Sequence, residues 1–289
     1  MVERHFACTQ CGRCCNRAPE LELGEAAELA DVFVLQLLMR IYSLPRSASD
    51  HLTPNQPRDQ ANTEFYQTKR LLSAFAATSW PAKVARDGRA VEYIQYLSLS
   101  VLPLDFGTGA CNALDGARCS IYEQRPLSCR TVPLHYSRAE AFAARDLDRF
   151  ISAPGYACAT DANAPLVISQ GRITDQAMLA GRADALRRAQ ADRPWKAAIV
   201  KAMKARQSGL PSPRGVEAEA ARGALTASML AVWSVAEAAG LITQAQAHRL
   251  LAAQCNLIEQ DLLRDRLRED VRITLNEMHR DYAVALADR

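Results

Sequence analysis

Residues 7–15 read Ala7-Cys8-Thr9-Gln10-Cys11-Gly12-Arg13-Cys14-Cys15, a run of thiols that organises everything around it. Two thiolates three residues apart in a turn reach one metal, because the intervening pair lets the backbone wrap around it. Gly12 suits such a turn, since a residue without Cβ takes positive φ and lets other backbone approach closely. A plain zinc site is expected as two separated Cys-x-x-Cys pairs. Three spaced cysteines with a fourth adjacent stand closer to an iron–sulfur run. Adjacent side chains diverge, so Cys14 and Cys15 either serve two different centres or leave one thiol spare.

Working outward, a second group comprises Cys111, Cys119 and Cys129, followed at a distance by Cys158. Its core is Cys119-Ser120-Ile121-Tyr122-Glu123-Gln124-Arg125-Pro126-Leu127-Ser128-Cys129-Arg130. Arg125 and Arg130 set fixed positive charge beside thiols, which favours the ionised ligand and offsets the charge of a thiolate-rich centre. Cys255 alone lies beyond residue 160, in a helical pattern among apolar neighbours, and reads as a core thiol. Of the five histidines, His5 and His135 fall near the cysteine groups, as ligands or as donors behind ligands, but none shows paired spacing. The N-terminus has no apolar h-region and no stretch of 18 apolar residues follows, so a cytosolic protein without a membrane span is expected. Thiols there stay reduced, which turns a dense cysteine pattern toward metal or redox chemistry and away from disulfides.

The 289 residues, 49% hydrophobic and 23% charged, describe an ordinary globular chain rather than a disordered or fibrous one. A net charge of +3 and an aromatic content of 6% offer neither a basic patch nor a stacking platform, so nucleic acid is not expected as a partner. Nucleotide-loop, metalloprotease and nucleophile-elbow motifs are absent.

Apolar spacing predicts a helix over Leu23 to Tyr42 ended by Pro45, a Pro-rich loop over 44–62 with Pro45, Pro54 and Pro57, and a helix over Glu64 to Ala77 stopped before Pro81. Val91 to Val101 changes period, with Leu97, Leu99 and Val101 alternating with Ser98 and Ser100 as in a strand. Pro103, Gly107 and Gly109 lead into the second cysteine group. From Ile173 onward the chain is alanine-rich. Helices are predicted over Asp175–Lys204 and Glu217–Ala239, with a Pro-rich linker at Gly209–Gly215. Gly240 serves as a helix stop, and Thr243 with Gln246 forms a capping box. The stripe Ile258, Leu262, Leu267, Val271, Leu275, Met278, Tyr282 predicts one amphipathic helix or a pair.

Cys-x-x-Cys-Gly-x-Cys-Cys near the start, followed by Cys-Ser-Ile-Tyr-Glu-x-Arg-Pro-x-x-Cys-Arg, resembles the YkgJ-type CxxCxxCC proteins, a zinc- or iron-chelating family. The flagellin lysine N-methylase FliB is similar over the same pattern. The resemblance covers about the first 160 residues, with Cys158 matching a late family cysteine. It implies metal ligation by Cys8, Cys11, Cys14, Cys15, Cys111, Cys119, Cys129 and Cys158.

The expected fold is mainly α: a cysteine-rich metal-binding half with short strands and loops (1–172) packed against a helical half (173–289). Eight thiolates supply two four-ligand sites, or one cluster plus a second ion. The expected cofactor is an iron–sulfur cluster, with zinc or iron ions as the alternative. Two classes of function stay open. One is a redox or protein-modifying enzyme, with FliB-like methyl transfer as the analogy. The other is a zinc-stapled interaction module whose helical half recognises a protein partner. The two cysteine groups are expected to meet in space.

Overall fold

The computed structural model describes residues 3–15, 18–51, 57–86, 89–106, 110–220, 224–264 and 267–288. Of the sequence expectations, Pro54, Gly107 and Gly109 lie outside the described residues. In chain order the elements begin with β1 (Arg4–His5), α1 (Leu23–Glu28), β2 (Leu35–Pro45), α2 (Arg58–Phe75), β3 (Ala76–Arg86) and β4 (Arg89–Pro103). Next come β5 (Leu114–Asp115), β6 (Arg118–Cys119), α3 (Leu127–Arg130), α4 (Ala143–Ile151), β7 (Leu166–Ser169) and β8 (Arg172–Ile173). The chain ends with α5 (Gln176–Ala191), α6 (Arg193–Ala205), α7 (Pro213–Ala220), β9 (Leu225–Ser228), α8 (Met229–Ala238), α9 (Gln244–Leu262) and α10 (Glu269–Ala287).

The mainly α expectation is corrected. Helix makes up 50% and strand 20%, in three sheets, and the N-terminal half is sheet-rich rather than a set of short strands and loops. The largest sheet has the order β3-β4-β2-β9, and a three-stranded sheet has the order β1-β7-β8. Three sequence readings account for the difference. Leu23 to Tyr42 is not one helix: α1 stops at Glu28 and the chain re-enters as β2. Leu35, Leu37, Leu38 and Met39 are all buried. A largely apolar run of that kind fits a doubly covered strand as well as a helix face, and pairing of Gln36–Met39 with Ser228–Leu225 decides for the strand. Those partners form β9, inside the stretch where Glu217–Ala239 suggested unbroken helix. Pro81 reads as a helix stop but sits within β3, opposite Ile94, and β3 is an edge strand, where a missing N–H costs the ladder little.

Other readings hold. The predicted second helix is α2, which begins at Arg58 inside the stretch 44–62 read as loop; Val91–Val101 lies inside β4, and the terminal stripe is the pair α9 and α10. Gly240 has φ +69° just past α8. Thr243 and Gln246 make both hydrogen bonds of the capping box at α9. Among the described residues no helix is long and apolar enough to cross a membrane.

The chain divides into two units. The first comprises Met1–Cys14, Ile41–Ser98 and Asp115–Gln190. Its apolar clusters include Phe6 with Leu147, Val167 and Ile168; Phe75 with Leu127, Tyr136 and Ala185; and Leu44 with Phe65 and Tyr96. The second comprises Cys15–Arg40, Leu99–Leu114 and Ala191–Arg289. Its buried residues include Trp233, Leu251, Ile258, Leu275 and Tyr282 on α8, α9 and α10. Gln254 of α9, fully buried, accepts from the Leu35 N–H at 2.8 Å and donates to the carbonyls of Ala30 and Phe33 at 2.6 and 2.7 Å.

Candidate metal centre

The cysteine run is positioned by the strand that precedes it. Arg4 grips Asp148 of α4 with two hydrogen bonds, Nε to Oδ1 at 2.6 Å and a terminal nitrogen to Oδ2 at 2.8 Å. That grip holds the Asp148 carboxyl below its ordinary range. Phe6 is buried against Leu147, Val167 and Ile168, and its N–H donates to Pro165 O. Ala7 and Ala159 then exchange both backbone hydrogen bonds, at 2.8 and 3.1 Å, in an antiparallel bridge. Continued by one residue, that register sets Cys8 opposite Cys158 on one face of the pair. By two residues it sets Thr9 opposite Ala157, whose carbonyl accepts from Thr9 Oγ1 at 2.9 Å.

Beyond the strand the chain turns through left-handed residues, Gln10 at φ +57° and Gly12 at φ +71°. The Gln10 N–H points at Cys8 Sγ, 3.4 Å away. A Cβ on Gly12 would stand 2.6 Å from Ala117 O, so only glycine fits. Ala117 lies in the turn of the β5–β6 hairpin, two residues before Cys119. The Gly12 turn therefore packs against the turn that leads into Cys119, within the first unit.

Electrostatics couple Cys158 to the run. Cys11 is lowered from its ordinary value, first by a backbone hydrogen bond from Arg13, then by one from Ala157, with burial and Cys14 opposing. Cys158 is raised, first by burial and then by the charges of Cys11, Cys8 and Cys14. Thiolates that raise one another's pKa store a repulsion that a bound cation relieves. The donor set of Cys8, Cys11, Cys14 and Cys158 is chemically suited to zinc or to iron. Among the described residues, no three His, Cys, Asp or Glu side chains are arranged to hold an ion as they stand. The fit rests on the backbone register, the shared electrostatics and the sulfur chemistry.

Of the remaining cysteines of the two groups, Cys15 and Cys111 belong to the second unit. In the second unit the Cys111 N–H donates to Cys15 O at 2.8 Å. Cys119 ends β6, and Cys129 lies in the single turn of α3, its N–H bonded to Pro126 O. Arg125 lies over the Tyr122 ring, 3.6 Å from its centroid, and donates to Tyr122 O, so its charge is engaged locally. His5 is bonded to Ala164 O and His135 to Ser137. Cys255 is buried in α9 as expected of a core thiol, and burial raises it. No sequence pattern points to Thr9 and Ala157, which brace the run. Only the fold pairs them.

The profile of one protein family, CxxCxxCC, described as "Putative zinc- or iron-chelating domain", matches residues 7–159. The chain belongs to the CxxCxxCC family. The match takes in both cysteine groups and Cys158, and its limits, Ala7 and Ala159, are the two residues that form the antiparallel bridge. No curated protein and no solved structure matches the chain. Membership in the CxxCxxCC family supports metal binding in general and leaves the finer chemistry to the site.

Proposed function

We propose that the chain holds an iron–sulfur cluster through Cys8, Cys11, Cys14 and Cys158. The observation that carries this reading is the register through Ala7 and Ala159. Extended by one residue from the Ala7–Ala159 bridge, it aligns Cys158, from the far end of the family domain, with the first cysteine of the run. Four thiols are the complement of one cubane cluster, and drawing one ligand from a distant segment is usual for such centres. The backbone hydrogen bond to Cys11 favours the thiolate that ligation requires. When bound, such a cluster supplies one-electron chemistry, whereas a zinc ion on the same four sulfurs would act as a structural staple.

Anaerobic purification followed by iron, zinc and acid-labile sulfide analysis tests this. Iron with equimolar sulfide and a broad visible absorption band is the expected result. Stoichiometric zinc without sulfide replaces the cluster with the staple. Neither metal above background refutes both.

A further inference from the structure

We propose that Cys8 and Cys158 form a disulfide when the centre is empty, so that this bond and the metal exclude one another. The inference rests on the reading that these thiols hold metal. It adds what happens when the metal leaves.

The geometry comes from the bridge. Ala7 and Ala159 exchange both N–H···O bonds, so they are a hydrogen-bonded antiparallel pair. The next pair along is of the non-hydrogen-bonded kind, where Cα atoms approach to about 4.5 Å and side chains project to the same face. Disulfides span Cα separations of roughly 4.4–6.8 Å. The face is fixed independently. Phe6, two residues before Cys8, is buried in the cluster against which Cys158 also packs. Strand alternation puts Phe6 and Cys8 on one side, so Cys8 and Cys158 share it. Both are reduced here, and Cys8 is exposed, open to a small oxidant. Arg4, Phe6 and the bridge hold the two segments together whether or not metal is present.

The step is thiol–disulfide exchange with a low-molecular-weight disulfide as oxidant. The Cys8 thiolate attacks one sulfur of that disulfide, a small thiolate leaves and takes up a proton, and Cys8 carries a mixed disulfide. The Cys158 thiolate then attacks Cys8 Sγ, the second small thiolate leaves and is protonated, and the Cys8–Cys158 bond remains. Two protein thiols are oxidised, and one small disulfide is reduced to two thiols. A metal on the same sulfurs blocks the first attack, and the disulfide removes two of the four ligands.

The test uses the full chain, purified anaerobically, with one portion stripped by a chelator under reducing conditions. Both portions are treated with oxidised glutathione, alkylated and mapped without reduction. The stripped protein is expected to gain one cross-link joining the peptides of Cys8 and Cys158. The loaded protein gains none, Cys8→Ser or Cys158→Ser abolishes the link, and Cys255→Ser leaves it intact. No cross-link in stripped protein overturns the proposal. So does a main product joining Cys8 to Cys11 or Cys14 to Cys15, or the same link at equal yield in loaded protein. The metal content measured before stripping is a separate reading: protein without iron or zinc there refutes the proposed function, whatever the cross-link map shows.

Discussion

Ala7 and Ala159 bond to each other through both of their backbone amides, across a sequence separation that spans the whole family match. The register they fix carries Cys8 to Cys158. The segment is anchored before it reaches them, by Arg4 on Asp148 and by Phe6 in its cluster. The chemistry of the cysteine run is thus tied to a strand whose own residues carry no chemistry.

Gly12→Ala tests how closely the run must approach the β5–β6 hairpin. Gly12 and Gly116 both have positive φ, and alanine is strained at either by about 1–3 kcal/mol. Around Gly116 a Cβ meets nothing within 4 Å, whereas at Gly12 it meets Ala117 O at 2.6 Å. Gly12→Ala is expected to destabilise more than Gly116→Ala in urea titrations, and it alone should weaken metal retention against a chelator.

Gln254→Leu should cost on the order of 3 kcal/mol, because it strands the buried Leu35 N–H and the Ala30 and Phe33 carbonyls together. Chemical denaturation monitored by Trp fluorescence measures it. The metal content of the folded protein should not change.

Lys196 and Glu22 form a buried ion pair at 3.1 Å, with side chains 3% and 5% exposed. Lys196→Met leaves Glu22 buried without its cation and should cost about 3–5 kcal/mol. The double variant Lys196→Met with Glu22→Gln should recover part of that loss in the same denaturation experiment.

How much of this was legible in the sequence divides by distance along the chain. Local signals held: the Cys11-Gly12 turn, the Thr243–Gln246 cap and the Gly240 stop are each written within a few residues. The pairing of Cys8 with Cys158 was not legible, because it is set by Arg4–Asp148 and by Phe6 among residues near 147–168. The strand at Leu35–Pro45 was misread because its apolar run satisfies two periods at once, and only β9 breaks the tie. Pro81 misled in the same way, since an edge strand tolerates what a helix interior does not.

Tyr282 is fully buried, and burial pushes its hydroxyl up to about 12 from the ordinary tyrosine value of 10.0. The folded state keeps the proton longer than the unfolded chain. The associated stability is therefore present below pH 10.0 and lost as pH rises through about 12. Tyr282→Phe removes the hydroxyl that accepts from Ser228 at 3.3 Å. It should lower stability at neutral pH by about 1 kcal/mol and flatten the alkaline decline relative to the wild type. Thermal melts across that pH window check both effects.

On the reading proposed above, four thiols of the first unit, including the distant Cys158, hold one centre. Its most direct test is the metal-to-protein ratio of Cys158→Ser and Cys255→Ser beside the wild type, all purified anaerobically. Thiolate metal binding is worth about 10 kcal/mol or more. Loss of a ligand should therefore strip Cys158→Ser of most of its metal, while Cys255→Ser matches the wild type. Cys158→Ser protein that keeps its full metal complement would refute the four-thiol site.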